Sequence, residues 1–313
     1  MAEFRVKGLV AATFTPFDDN GDVVLSKIED HIQYLKEVDV KHVFVNGATG
    51  EGMSLTLEER KVIAAEWVKA NNGRLDTIIM HVGCANLRDT QTLAKHAAEV
   101  GVDAIAAIPP LFFRPTTVDH LVDYMRRVGE AAPTLPLYLY HVPPLTCVEL
   151  NMADFLRKAR DVVPSLRGVK FSSQDLPVVS ECVQTEDAQG HKYNVLFGCD
   201  QQLLSALVLG VDGAVGSTYN FMAGVYQRMM EAMDRGDMDA AREEQYRSQR
   251  ACKLLFNYAT QGGSTVSCLK QMMAFAGLDV GPPRCPLRAL GTDDVATYRQ
   301  ELDDTGFFQW YRK

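Results

Sequence analysis

The run at residues 167–173, RGVKFSS, carries a single lysine, Lys170, inside an otherwise strand-like segment. In a strand alternate side chains share a face, so Val169 and Phe171 form one side and Gly168, Lys170 and Ser172 the other. A lysine at a strand end ordinarily snorkels to solvent or pairs with a carboxylate. The chemical alternative is a Schiff-base nucleophile. An amine attacks a ketone only when neutral, and its unperturbed pKa is about 10.4. Lowering that to about 7–8 takes roughly 3–5 kcal/mol of desolvation and neighbouring positive potential. An inward, dehydrated position inside a barrel supplies it.

Two other segments offer partners. In LPLYLYHVP (135–143), Tyr138 and Tyr140 share a face opposite Leu137 and Leu139. A tyrosine at a strand end is usually core with a hydrogen-bonded hydroxyl, but beside an amine nucleophile it can shuttle protons. NGATGEG (46–52) has glycines for a tight turn, and its amides with the Thr49 hydroxyl can hold a carboxylate. It is also, in any reading, a strand-to-helix loop. It matches neither GxGxxG nor a Walker A loop.

The elements that must position these residues follow from periodicity. Compact apolar runs at 9–16, 42–47, 77–83, 104–110, 135–143, 167–173, 194–200 and 213–220 each end in Gly, Pro, Asn, Asp or Ser and read as strands. Amphipathic stretches lie between them. In TLEERKVIAAEWVKANN (56–72), Thr56 and Glu59 fit a capping box, and Val62, Ala65, Trp67 and Val68 mark an apolar side. NLRDTQTLAKHAAEV, TTVDHLVDYMRRVGEAA and CDQQLLSALVLG read as further helices. Eight strands, each followed by helix, predict an α/β fold of the (β/α)8 TIM-barrel type rather than a doubly wound open sheet. Beyond Asn220 the pattern is helical. The barrel core is therefore expected over 1–220. The last barrel helix and a C-terminal helical extension are expected over 221–313, packed on the barrel as one structural unit. In this fold chemistry sits at the C-terminal ends of the strands.

Bulk properties exclude several classes. The 313 residues are 47% hydrophobic with a formal charge of −8 and no basic block, a poor match to nucleic-acid phosphate. The seven cysteines form no CxxC pair, which points to free thiols in a reducing compartment. The start lacks a basic region followed by a long apolar run. The longest apolar region, LLSALVLGVDGAVG, is broken by Asp212 and is too short to span a bilayer. A cytoplasmic protein without membrane partners is expected.

GATGEG, YHVP, GVKFS and GSTYN occur together and in this order. With them, residues 8 to 287 resemble the dihydrodipicolinate synthase/N-acetylneuraminate lyase family of class I aldolases, and within it the animal-type N-acetylneuraminate lyases. The resemblance implies that Lys170 is the Schiff-base nucleophile and Tyr140 the proton shuttle. It implies that Thr49 and the backbone at Ala48 bind the 2-keto acid carboxylate. Ser172, Gly198, Asp200, Gln201, Gly216 and Ser217 would line the site for the polyhydroxylated tail. The implied reaction is retro-aldol cleavage of N-acetylneuraminate, a sialic acid, to N-acetylmannosamine and pyruvate by a homotetramer. The iminium is its own electron sink, so no cofactor and no metal are called for. DDNGD (18–22) is too short for a calcium loop and reads as a turn.

Several positions depart from the family pattern. Ala48 lies where many relatives have Ser or Thr, removing a hydroxyl worth about 0.5–1.5 kcal/mol as a hydrogen bond. Gln201 stands where sialic acid lyases usually have Glu and loses its charge. Cys147 replaces a usual Gly. LFF (111–113) lacks the tyrosine that bacterial relatives often send to a neighbouring subunit's site, an absence shared by animal-type lyases. Leu145 stands where dihydrodipicolinate synthases typically carry an arginine for a second carboxylate, which argues for a sugar-derived substrate. Two other functions stay open at this point: a pyruvate aldolase for another 2-keto-3-deoxy sugar acid, such as Kdn, and a non-catalytic ligand-binding relative.

Overall fold

The computed structural model describes residues 4–261 and 263–312. Eight parallel strands close into a barrel in chain order. They are β1 Gly8–Ala12, β2 His42–Val45, β3 Thr77–His81, β4 Ala104–Ala107, β5 Leu137–His141, β6 Leu166–Phe171, β7 Asn194–Phe197 and β8 Gly213–Gly216. The crossovers contain α1 Lys27–Glu37, α2 Leu57–Asn71, α3 Leu87–Val100, α4 Val118–Ala131, the one-turn α5 Pro143–Thr146, α6 Met152–Ala159, α7 Leu176–Gln184 and α8 Leu203–Val208. After β8 come α9 Tyr219–Asp234, α10 Met238–Thr260, α11 Thr265–Phe275, α12 Thr292–Asp304 and α13 Phe307–Trp310. This is the (β/α)8 barrel with added C-terminal helices that the alternation predicts.

Strand alternation divides the core into two layers. Val10, Phe44, Ile79, Ala106, Tyr138, Tyr140, Leu196 and Val215 fill the barrel interior. Their neighbours in sequence, among them Val43, Ile78, Ile105, Leu139, Val169 and Val195, pack outward against the helices. Val169 and Phe171 fall in the outer layer, which leaves Lys170 pointing inward.

The strands are shorter than the apolar runs that contain them. The run 213–220 is strand only to Gly216, and Tyr219 and Asn220 already belong to α9. The Asn220 amide donates to Ala12 O at 2.7 Å and Ser217 O at 2.8 Å, turning the chain out of the ladder. Likewise residues 200–202 form one 3-10 turn before α8 begins.

The capping box of α2 is present, with Glu59 N donating to Thr56 Oγ1 and the Glu59 carboxylate accepting from Thr56 N at 2.8 Å. Of the apolar side expected for this helix, Trp67 is buried and the other three residues are not. Val62 and Ala65 are exposed and Val68 is half-buried; the buried stripe is Arg60, Ile63, Ala64 and Trp67. That stripe keeps the i, i+3, i+4, i+7 spacing but opens on an arginine. The Arg60 guanidinium donates to His81 O at 2.6 Å and Gly83 O at 2.8 Å. It thereby satisfies carbonyls where the chain leaves β3, a task no apolar side chain performs.

Candidate active site

Lys170 is the next-to-last residue of β6 and Tyr140 the next-to-last of β5, and the two are directly opposed in the strand register. Both point into the barrel near its C-terminal end. The Lys170 Nζ is buried, 3.8 Å from the centroid of the Phe44 ring and 3.9 Å from that of Tyr140. His81, at the end of β3, meets the Tyr140 ring edge-on at 5.7 Å and stacks on Phe44 at 6.1 Å. Its Nδ1–H donates to Asn46 O at 2.8 Å, and burial with the nearby Arg60 charge keeps the ring neutral.

These surroundings set the protonation states. Burial lowers the Lys170 ammonium to about 7, while the charge of Asp200 pulls the other way. The two aromatic faces also favour the ammonium, by about 0.5–2 kcal/mol. Burial pushes the Tyr140 phenol well above its usual range, opposed by its hydrogen bond with Ser172. Burial raises the Asp200 carboxyl too, against two bonds from Thr218: its amide at 3.0 Å and its hydroxyl at 2.6 Å, both to Oδ2.

A cavity of about 270 Å3 opens above the lysine. Ala48 and Thr49 line it from the β2–α2 loop, Tyr140 from β5, and Lys170 and Ser172 from β6 and the residue beyond. Gly198, Asp200 and Gln201 line it from the segment after β7, and Ser217 from that after β8. Thr49 Oγ1 and Ser217 Oγ are 2.6 Å apart, so two strand-end loops meet across the mouth. Gly198 and Gly216 are required by close approach. A Cβ at Gly198 would lie 2.0 Å from Ser172 Oγ, and one at Gly216 would lie 2.2 Å from Asp200 Oδ1. Gly216 thus backs Asp200 rather than facing the cavity.

Part of the wall comes from residues that sequence reasoning missed. Cys252, Leu255 and Phe256 of α10 and Thr265 and Leu269 of α11 close one side. Phe44 lies against the Lys170 amine and His81 against the Tyr140 ring, behind the cavity lining; a ring at an inward strand position was the available signal. No comparable signal marks α10 and α11, whose cavity-facing residues look like any helix face. Leu145 lies exposed on α5, outside the lining. Cys147 caps that helix at φ 51°, the left-handed region that favours glycine, which accounts for the glycine usual at this position. Phe112 and Phe113 are 80% and 84% exposed. Among the described residues, no group of three or more His, Cys, Asp or Glu side chains is placed to hold a metal ion.

The arrangement is suited to covalent chemistry on a ketone: a buried amine near neutrality, a phenol opposite it, and an oxygen-lined mouth. The sequence pattern of the dihydrodipicolinate synthetase family matches residues 5–304. The chain is 43% identical over 310 residues to N-acetylneuraminate lyase of Rattus norvegicus, covering 98% of this chain and 94% of the relative. It is 44% identical over 304 residues to N-acetylneuraminate lyase of Xenopus tropicalis, covering 96% and 97%. In structure it is similar to Proteus mirabilis N-acetylneuraminate lyase, with a TM-score of 0.90 and 35% identity over 97% of this chain and 100% of that one. Identity to the animal enzymes exceeds identity to the bacterial one, as the motif resemblance implies. The chain belongs to the dihydrodipicolinate synthetase family.

Proposed function

We propose that this protein is a class I carbon–carbon lyase that cleaves N-acetylneuraminate to N-acetylmannosamine and pyruvate through a Schiff base on Lys170. The observation that carries the reading is the Lys170 amine, buried, brought to about 7 and opposed in register to Tyr140. The similarity to vertebrate N-acetylneuraminate lyases over nearly the whole chain supports the substrate.

The residues divide the work as follows. The Thr49 hydroxyl and the Ala48 amide hold the substrate carboxylate at the mouth. The neutral Lys170 amine adds to the C2 ketone of the open-chain sugar acid. Tyr140, kept protonated by burial, gives its proton to the carbinolamine hydroxyl, which leaves as water. The phenolate that remains beside the iminium takes the C4 hydroxyl proton. The C3–C4 bond then breaks, its electron pair flows into the iminium, and the aldehyde sugar departs. The enamine is protonated at C3 and hydrolysed to pyruvate, restoring the amine. Ser172, Asp200, Gln201 and Ser217 meet the hydroxylated tail, with Gly198 and Gly216 making room for Ser172 and Asp200.

Borohydride trapping followed by intact mass tests this reading. Incubation with N-acetylneuraminate should leave a reduced pyruvate adduct that maps to Lys170, and Lys170→Ala should lose both adduct and turnover while keeping its circular dichroism. Substantial turnover by Lys170→Ala would sink the assignment. Ala48 and Gln201 in the lining favour a second reading, in which another 2-keto-3-deoxy sugar acid such as Kdn is preferred. Comparison of kcat/KM for the two substrates separates them. We also propose a cytoplasmic homotetramer. The free thiols of all seven cysteines support a reducing compartment. The exposed Phe112 and Phe113 support burial of that loop in an assembly. Sedimentation velocity should give four times the chain mass. Among the described residues no helix is long and apolar enough to cross a membrane.

A further inference from the structure

The β2–α2 loop is gripped from the far end of the chain. Glu51, inside NGATGEG, has a side chain only 1% exposed, and its Oε1 lies 2.8 Å from the Nζ of Lys270 on α11, itself 3% exposed. The ammonium also donates to Thr15 O at 3.0 Å and Pro282 O at 2.9 Å. The second carboxylate oxygen of Glu51 accepts from Arg284 N at 2.8 Å. One side chain of the loop is thus tied to α11 and to the segment that follows it.

The backbone at this point is unusual. Glu51 adopts φ 52°, a conformation that costs a non-glycine residue energy and persists only where surroundings over-determine it. Its amide donates to Ala48 O at 3.0 Å, closing the turn that presents Ala48 and Thr49 to the cavity. The carboxylate contacts therefore anchor the residue whose amide closes that turn. The same helix supplies Thr265 and Leu269 to the cavity wall, so α11 both lines the site and holds its loop.

We propose that Glu51 and Lys270 are positioning residues whose buried ion pair sets the geometry of the loop that binds the substrate carboxylate. The proposal rests on the reading of Ala48 and Thr49 as that binding element. A buried ion pair adds little net stability over a well-packed apolar pair, because desolvation offsets the attraction. What it supplies is a directed contact with one register, which a carboxylate-binding turn requires.

The test uses Glu51→Gln, Lys270→Met and the double variant, each read by thermal midpoint and by the pyruvate concentration that half-saturates borohydride trapping. Each single variant should need about 10-fold more pyruvate or above, the scale of a small misplacement of a binding group. The double variant leaves no unpaired charge. Its thermal midpoint should recover toward that of the wild type while its half-saturating pyruvate stays raised. For N-acetylneuraminate, KM should rise and kcat should stay within about 3-fold in the folded variants, the signature of lost binding rather than lost chemistry. A double variant that recovers both stability and half-saturation overturns the positioning role, as do folded single variants with unchanged half-saturation. A wild type that traps no pyruvate overturns the functional reading itself, and this proposal with it.

Discussion

Two buried lysines show how surroundings decide what a side chain does. Lys270 faces a carboxylate and two carbonyls, which compensate its charge inside the protein. Lys170 faces ring planes, and among the described residues no carboxylate lies within ion-pair distance of it. Burial lowers both, but only Lys170 is brought to about 7 with its lone pair open to a cavity. The sign of the resulting pH dependence is definite. In the proposed mechanism the nucleophile is the neutral form, so kcat/KM for N-acetylneuraminate should rise about 10-fold per unit below the lysine pKa and flatten above it. A profile that is flat from about pH 5.5 to 8 would contradict the role. The tyrosines of β5 make the same contrast. Tyr138 donates to Asn194 Oδ1 at 2.7 Å and is an anchored core residue, whereas Tyr140 opens onto the cavity. Tyr140→Phe should lower kcat by about 10²–10⁴-fold, the usual range for a positioned acid–base group, with pyruvate adduct formation partly retained. Unchanged turnover would remove Tyr140 from the mechanism.

At the scale of elements, local rules explain most of what is seen and their failures have causes. The capping box of α2 was legible because it needs only Thr56 and Glu59 at the right spacing. The buried face of the same helix keeps the expected Trp67 but is led by Arg60, whose charge hides the face from an apolar pattern. Its burial depends on carbonyls at the end of β3 and just beyond it that no helix-local pattern reveals. The short helix α5 offers a clean test of backbone strain. Cys147 holds a left-handed conformation that costs an L-residue about 1–2 kcal/mol, partly offset by the extra freedom a glycine has when unfolded. Cys147→Gly should therefore stabilise the protein by about 0.5–1 kcal/mol, measured as a shift in the urea midpoint at constant slope. An unchanged or lower midpoint would show that the thiol makes a compensating contact.

At the scale of the molecule, the C-terminal helices complete the cavity rather than decorate the barrel. α10 buries Ala241, Ser248, Ala251, Cys252, Leu255 and Tyr258, and with α11 it closes one wall of the cavity. A chain ended after Asp234 should lose cooperative unfolding and pyruvate trapping together, because it exposes the apolar surface that α10 covers. A truncated chain that still traps pyruvate would show that the barrel alone assembles the site. The sequence by itself determined the strand count, the inward direction of Lys170 and Tyr140, and the order of the motif loops. Each of these follows from a period of two in strands, from turn chemistry, or from residue types at fixed spacing. Only the tertiary structure decided that Lys170 stands opposite Tyr140 and against the Phe44 ring, that Arg60 is buried, and that Glu51 meets Lys270 more than two hundred positions away. Those contacts join segments whose separation along the chain carries no periodic signal. Their energies depend on burial, which is a property of the packed whole.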